Sequence, residues 1–458
     1  MNNIISKTTL IDLSDNKDLE KSVLDIFFND SSNSVFNHYG YSSNPFIRHE
    51  KWSDNNDYKK LFGTNLFVNN DFIIDILRDF VNAVSQNEYF LIRGPSGIGK
   101  STISDVFYSL LSTSNDFKTK IKERLDIDNY NVLKLNFETE NWKYEINERL
   151  SRIKDQLEEN RPTKKFDVTF LVIDNIAEIS DCWTEITKLF DENFGYFLIV
   201  GTIKISEYLY LEYFRKKYPT QRSLMVDSFL DAFKNIKDLQ LWSVSKINEL
   251  LQKRISLSSY SKSFNIDPEV LTELAELSSG IPHIGLGLLE KLFILGYEDN
   301  KIHNFTLKNT RKLLTDDHIN RLREYNLISR VSESDTGPPQ SIKRLYNDLT
   351  KQTRKSIITN LVSAYGGIKL QTGRYPSLKI DNHLQGIAKD AIKDLPMIPS
   401  RLSEEVDKVA STITYHLDWL ENQGLVTRTM QNEKEKIILL KESSIELFEI
   451  LSSSFIKS

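Results

Sequence analysis

The chain has 458 residues, of which 40% are apolar and 27% are charged. This composition is typical of a globular protein of about three domains, and it excludes disorder as the main state. The net charge of −5 provides no protein-wide basic field, so any nucleic-acid binding must come from a local patch. The single cysteine, Cys182, excludes an internal disulfide framework and a cysteine-based metal cluster.

The apolar runs are of strand length, such as FLIV at 197–200, and none approaches the ~20 residues that span a bilayer. The first residues also lack the apolar core of a secretory signal. The sequence therefore predicts no membrane partner and a cytoplasmic location.

Four regions follow one another along the chain. Residues 1–65 are predicted to be an N-terminal extension and linker, and residues 66–243 an α/β core. In the core, apolar segments of strand length alternate with helical spacing, which predicts parallel βαβ units in a doubly wound sheet. The predicted strands are 88–94, 131–138, 167–175, 195–202 and 237–243.

Residues 244–330 have a purely helical pattern. A polar stretch, VSESDTGPPQ at 331–340, predicts a linker, and residues 341–458 form a separate C-terminal unit. Its first helix is predicted over 349–367 and ends at the pair Gly366 and Gly367.

The segment GPSGIGKS at 94–101 fits the pattern G-x-x-x-x-G-K-[ST] between a predicted strand and a predicted helix. Its glycines let the backbone amides turn towards a polyphosphate, and the helix N-terminus favours the same anion. Lys100 is predicted to reach the β- and γ-phosphates and Ser101 to hold Mg²⁺. The predicted site consists of Gly94, Pro95, Ser96, Gly97, Ile98, Gly99, Lys100, Ser101 and Thr102.

A second nucleotide motif is the apolar strand FLVIDN at 170–175, which ends in Asp174. Asp174 is predicted to bind Mg²⁺ through water at the carboxyl end of its strand. The next residue is Asn175, and an amide can orient a water molecule but cannot take its proton. The sequence therefore predicts slow hydrolysis, or a base from elsewhere. Glu138 and Glu178 are candidates for that base, and the alternative for each is a surface acid.

The motif order resembles the AAA+ ATPases, in the group of archaeal origin-recognition initiators and STAND-like archaeal ATPases. The resemblance covers about residues 40–330. It rests on NPF at 44–46, GPSGIGKS, LVIDN, VGT at 200–202, LQLWSVSKINELLQKRI at 239–255, SSGIPH at 278–283 and LTDDHINRL at 314–322. It implies a P-loop α/β core with a parallel sheet, a helical lid, and ATP with Mg²⁺.

The resemblance also implies roles for single residues. Thr202, or Lys204 nearby, takes the place of the first sensor of the γ-phosphate. His283 stands where the family usually has the arginine of the second sensor. Arg222 or Arg215 is the candidate arginine finger. The NPF turn either forms part of the adenine pocket or only packs against the core.

The segment 398–441 resembles a winged helix-turn-helix. Leu402, Val406 and Val409 are predicted to pack one helix, and Ile413, Leu417 and Leu420 the inner face of the next. Residues around 431–434 form the predicted wing. The candidate contacts to double-stranded DNA are Ser411, Tyr415, Asn422, Arg428, Lys434 and Lys436.

Acidic neighbours such as Asp418, Glu421 and Glu433 weaken the electrostatic case for DNA. Docking of a protein partner, with Tyr415 and Trp419 exposed, is therefore the alternative use of this unit. A homo-oligomer is also compatible with the sequence. The leading interpretation is an ATP-dependent DNA-binding switch. The rivals are a signalling NTPase that recruits a protein and a nucleotide-binding scaffold without useful turnover.

Overall fold

The computed structural model of the chain describes residues 35–41, 44–46, 70–136, 146–159, 162, 166–217, 221–256, 264–299, 302–315, 319, 348–349, 351–372, 397–423, 425–432, 435–440 and 448–449. These residues divide into two compact units. One unit comprises residues before 69 together with 242–329, and the other comprises 69–241 together with 330–458. The predicted linker at 331–340, Glu138 and Lys434 lie outside the described residues.

The centre of the α/β unit is a five-stranded sheet in which every neighbouring pair is parallel. The strand order is β2-β3-β4-β1-β5. Strand β3 is buried along its whole length, as its continuous apolar sequence predicts for a strand covered on both faces. The strands are β1 (Phe90–Gly94), β2 (Tyr130–Asn136), β3 (Val168–Asp174), β4 (Phe197–Lys204) and β5 (Asn235–Asp238).

Helices connect these strands, and a short 3₁₀ helix, Ile176–Cys182, follows β3. The helices are α1 (Asn70–Ser85), α2 (Lys100–Thr113), α3 (Asn115–Leu125), α4 (Ile146–Glu159), α5 (Trp183–Phe194), α6 (Ile205–Lys217) and α7 (Gln221–Ala232). The predicted fifth strand, 237–243, was placed too late in the sequence. Leu239 directly follows the strand, where its side chain packs against Gly94 and its backbone N–H donates to Arg93 O at 2.8 Å.

The second unit is helical, with α8 (Val244–Ile255), α9 (Pro268–Leu277), α10 (Pro282–Glu298) and α11 (Leu307–Leu313). Two short parallel strands, β6 (Asn265–Ile266) and β7 (Asn304–Phe305), pair within it. Its core contains an aromatic cluster to which Phe46 belongs, and the Phe46 ring centroid lies 5.1 Å from that of Phe293. Phe46 is fully buried there, so the structure favours the packing interpretation of the NPF turn.

The C-terminal part of the α/β unit begins with α12 (Gln352–Thr372). The prediction that this helix ends at its glycine pair was wrong, because the helix passes through Gly366 and Gly367 and continues for five more residues. These glycines lie where α12 packs on α6. A Cβ on Gly366 would overlap Ser206 O, and one on Gly367 would lie 2.5 Å from the Tyr210 ring. Glycine is therefore used here for close helix packing rather than as a stop signal.

Among the described residues, this part also contains two helices and a hairpin: α13 (Pro399–Val406), α14 (Ala410–Asn422), and the antiparallel strands β8 (Val426–Asn432) and β9 (Glu435–Leu440). The inner face of α14 is as predicted, with Ile413, Leu417 and Leu420 fully buried. Two neighbouring expectations were wrong. Val409 is 68% exposed because it caps the N-terminus of α14, and Trp419 is half-buried beneath Arg354 of α12.

Among the described helices, none combines the length and the apolar character needed to cross a membrane.

Candidate functional site

The phosphate loop connects β1 to α2 and has the backbone that its glycines predict. Gly97 and Gly99 have φ values of 73° and 107°, which side chains with a Cβ rarely adopt. Gly94 is needed for a different reason, because a Cβ there would lie 3.0 Å from both Ile98 and Leu239. The loop is thus shaped to turn amides inward at the N-terminus of α2.

Lys100 begins α2 and is 6% exposed. Its ammonium group donates to the loop carbonyls, at 2.9 Å from Gly94 O and 2.7 Å from Pro95 O. Burial, followed by the charge of Lys204, lowers the pKa of Lys100 to about 8. The carboxyl groups of Glu449, Glu207 and Asp174 act in the opposite direction. At neutral pH Lys100 therefore remains mostly protonated and can bind a phosphate oxygen.

Asp174 and Thr202 meet at the carboxyl ends of the neighbouring strands β3 and β4. The Thr202 hydroxyl donates to Asp174 Oδ1 and accepts the backbone N–H of Asn175 at 3.1 Å. Thr202 is fully buried, and Asn175 adopts a left-handed conformation with φ 53°. The structure thus brings together three of the four predicted catalytic residues, and it orients Asp174 through a hydroxyl group.

Glu178 lies in the 3₁₀ helix after β3, and the surface-acid interpretation of this residue was wrong because it is 3% exposed. Its Oε1 lies 3.5 Å from Lys369 Nζ, which comes from α12. Burial nevertheless raises the pKa of Glu178 to about 8, with Glu207 adding to the effect and Lys369 opposing it. The carboxyl group of Glu178 is therefore mostly protonated at pH 7.

A further acid reaches the phosphate loop from the C-terminal end of the chain. Glu449 is 1% exposed, and its Oε2 accepts the backbone N–H of Ser96 at 3.0 Å. Its Oε1 accepts the hydroxyl of Ser206, the second residue of α6, at 2.7 Å. Neither Glu449 nor Lys369 was expected at this site. No pattern in the local sequence could have shown this, because both contacts span large distances along the chain.

The other candidates of the nucleotide site lie on helices. Ser101 and Thr102 are half-buried in the first turn of α2. Arg222 lies in the first turn of α7, and Arg215 forms ion pairs with Asp227 and Asp231, at 3.3 and 3.1 Å. His283 lies in the first turn of α10, in the helical unit. Its predicted γ-phosphate contact therefore stays a prediction.

On the C-terminal helices, Ser411, Tyr415 and Asn422 are exposed on α14, and Tyr415 is 63% exposed. Lys436 lies on β9 opposite Met430. Arg428 is less accessible to solvent than expected for a wing residue that contacts phosphates. Its side chain is 15% exposed, and it pairs with Asp418 and Glu421, both on α14.

The chemistry of the site fits a Mg²⁺–nucleotide. Lys100 provides a positive charge inside a loop of amides, and Ser101 with Asp174 supplies the hydroxyl and carboxyl oxygens that Mg²⁺ prefers. The phosphate loop after β1, the acid at the end of β3 and the strand order together define a P-loop α/β fold of the AAA+ type. The predicted P-loop α/β core with a parallel sheet is therefore confirmed.

No family model matches this chain, and no curated protein matches it significantly. Solved structures that resemble it include the Thermotoga maritima RuvB Holliday junction branch migration motor, at 14% identity and a TM-score of 0.34, with 84% of this chain and 95% of that chain covered.

The Aeropyrum pernix ORC1 protein in complex with DNA has 12% identity and a TM-score of 0.37, covering 85% of this chain and 94% of that chain. The Aeropyrum pernix ORC2 protein in ADPNP–ADP complexes has 13% identity and a TM-score of 0.35, covering 87% and 99%. At these values the likeness supports no functional statement. The fold class therefore rests on the strand order and the phosphate loop.

Proposed function

We propose that the protein is an ATP-binding switch in which the nucleotide state of the phosphate loop controls a C-terminal winged helix. The observation that carries the proposal is the buried, mostly protonated Lys100 within a glycine-shaped loop, beside an Asp174 oriented by Thr202. The loop amides and Lys100 would hold the phosphates, and Ser101 with Asp174 would hold Mg²⁺.

Hydrolysis is expected to be slow because neither Asn175 nor Glu178, the two candidates that follow Asp174, is an effective base at neutral pH. Asn175 carries an amide, which cannot take a proton, and burial raises the pKa of Glu178 to about 8, so most Glu178 carboxyl groups are already protonated at pH 7. We expect turnover below the range of ~1–10³ s⁻¹ that is typical of enzymes. Wild-type protein that hydrolyses several ATP molecules per second unaided would contradict this.

Nucleotide binding is tested with Lys100→Ala. Loss of the ammonium group should weaken ATP binding at least about tenfold, or about 1.4 kcal/mol, as measured by calorimetry in the presence of Mg²⁺. Lys234→Ala is a matched control, because Lys234 is a lysine of the same unit with a side chain that is 72% exposed. Equal ATP affinity in wild type and Lys100→Ala would contradict the assignment of the phosphate loop.

For the C-terminal unit we propose binding to duplex DNA through α14. The exposed hydroxyl and amide groups of Ser411, Tyr415 and Asn422 are suited to base edges and phosphates. Because Arg428 is already paired with two acids, Lys434 and Lys436 are the stronger candidates for phosphate contacts. Replacing both with Ala should reduce the salt slope of binding by about two units, at roughly −0.9 per phosphate.

Arg428→Ala should change the same slope less, which makes it an internal comparison for the two lysines. Tyr415 and Asn422 should affect preference among sequences instead. The assay is a titration of full-length protein with duplex DNA at two salt concentrations, with and without ATP. Absence of binding in all four conditions would exclude the DNA proposal.

The second candidate function is docking of a protein partner. It is favoured by the exposure of Val409 and Tyr415 together at the N-terminal half of α14, next to the acids that hold Arg428. Apolar exposure of this kind is common at protein interfaces. Under this alternative, Val409→Ser should abolish partner binding, and the salt dependence should be weak.

A further inference from the structure

A carboxyl group of the chain itself is hydrogen-bonded to the phosphate loop. The Glu449 carboxyl group accepts the amide of Ser96, which lies in the loop, and the hydroxyl of Ser206 holds its other oxygen. Loop amides of this kind are the groups that bind phosphate oxygens. A buried carboxyl group hydrogen-bonded to one of them therefore stands in for an anionic oxygen of the ligand.

Glu449 and a phosphate carry charge of the same sign, and both would use the same donors. Lys100 is the nearest cation in the loop, and Glu449 is the first of the carboxyl groups that favour its charged form. When the phosphates of ATP bind the loop and pair with Lys100, Glu449 would remain beside them as a buried group that is also negatively charged. Two negative groups this close are unfavourable in a site with little water.

Glu449 comes from a different part of the chain than the other acids of this cluster. Asp174, Glu178 and Glu207 lie on or directly after core strands. Glu449 and Lys369 instead come from the C-terminal part, which approaches through the packing of α12 on α6.

We propose that the Glu449 carboxyl group competes with the phosphates of ATP for the phosphate loop, so that ATP binding releases Glu449 from the loop. The proposal rests on the nucleotide binding proposed above. It makes the coupling reciprocal, because the factor by which docking of Glu449 weakens ATP binding is also the factor by which ATP weakens docking.

The primary test is Glu449→Gln in the full-length chain, which keeps the shape and removes the charge. ATP affinity, measured by calorimetry, should rise at least about tenfold. Ser206→Ala leaves Glu449 in place but removes one of the two hydrogen bonds described above, so it should give a smaller rise and serves as a second variant. Glu404→Gln is the matched control, because Glu404 has a side chain that is 60% exposed and pairs with Arg401. It should bind like wild type.

A second readout is hydrogen exchange at Glu449, which should become faster when wild type binds a non-hydrolysable ATP analogue. ATP affinity of Glu449→Gln within about twofold of wild type, with Lys100→Ala still weakened, would overturn the competition and leave nucleotide binding intact. Unchanged affinity with lower turnover would also overturn it, since that result would make Glu449 a base. No ATP binding by wild type or Glu449→Gln would instead reject nucleotide binding itself.

Discussion

The hydroxyl of Thr202 joins the carboxyl ends of β3 and β4 by hydrogen bonds. Thr202→Val removes this hydroxyl with little change in the shape of the side chain. The hydroxyl donates to Asp174 and accepts the Asn175 N–H, and both residues are nearly inaccessible to water. A hydrogen bond to a charged group contributes about 1.5–3 kcal/mol and a neutral one about 1 kcal/mol. We therefore expect Thr202→Val to lower the stability of this region by about 2.5–4 kcal/mol.

Native-state hydrogen exchange of β3 and β4 is the suitable assay, because it reports the opening free energy of these strands without treating the two units as one transition. Thr202→Ser keeps the hydroxyl and loses one methyl group, so it should cost only about 1 kcal/mol. A loss below about 0.5 kcal/mol for Thr202→Val would refute the reasoning, since that is the size of an ordinary surface substitution.

The pKa of Lys100, lowered to about 8, means that the ammonium group is lost as pH rises through 8, so ATP affinity should fall up to about tenfold per unit above pH 8. The Lys100→Arg profile should stay flat there in the same calorimetric titration. The pKa of Glu178, raised to about 8, means that the folded state keeps a proton that the unfolded chain releases from about pH 4.5. Wild type should therefore lose stability relative to Glu178→Gln between pH 4.5 and 8, as measured by urea denaturation, whereas a dominant ion pair with Lys369 would give the opposite slope. Asn175→Glu should raise ATP turnover, measured as phosphate release, although its left-handed backbone adds a strain of about 1 kcal/mol.

The sequence was sufficient for elements whose signals are local. The phosphate loop could be located because glycine spacing, a preceding apolar strand and a following helix occur within one short stretch. Asp174 followed from the end of a buried strand. The inner face of α14 followed from helical periodicity, and the buried residues Ile413, Leu417 and Leu420 confirm it.

The failures have a common physical origin in contacts between distant segments. Gly366 and Gly367 resembled a helix stop, because the requirement for a missing Cβ comes from α6 rather than from the chain around them. From the sequence alone Glu178 resembles a surface acid, whereas in the structure it is buried beside Lys369. The hydrogen bond from Ser96 to Glu449 has no local counterpart in sequence.

Helix α12 gives the nucleotide site a physical connection to α14. Near its C-terminal end, Lys369 reaches Glu178, and at its N-terminal end the guanidinium of Arg354 lies 3.7 Å from the centroid of the Trp419 ring. Arg354 is 2% exposed, so packing holds its position over Trp419. Because α12 packs against both the nucleotide site and α14, a displacement at one of them is passed on to the other. A change at Glu178 that moves Lys369 would therefore alter the support of α14, and a ligand of α14 should in turn change the affinity for ATP by the same factor.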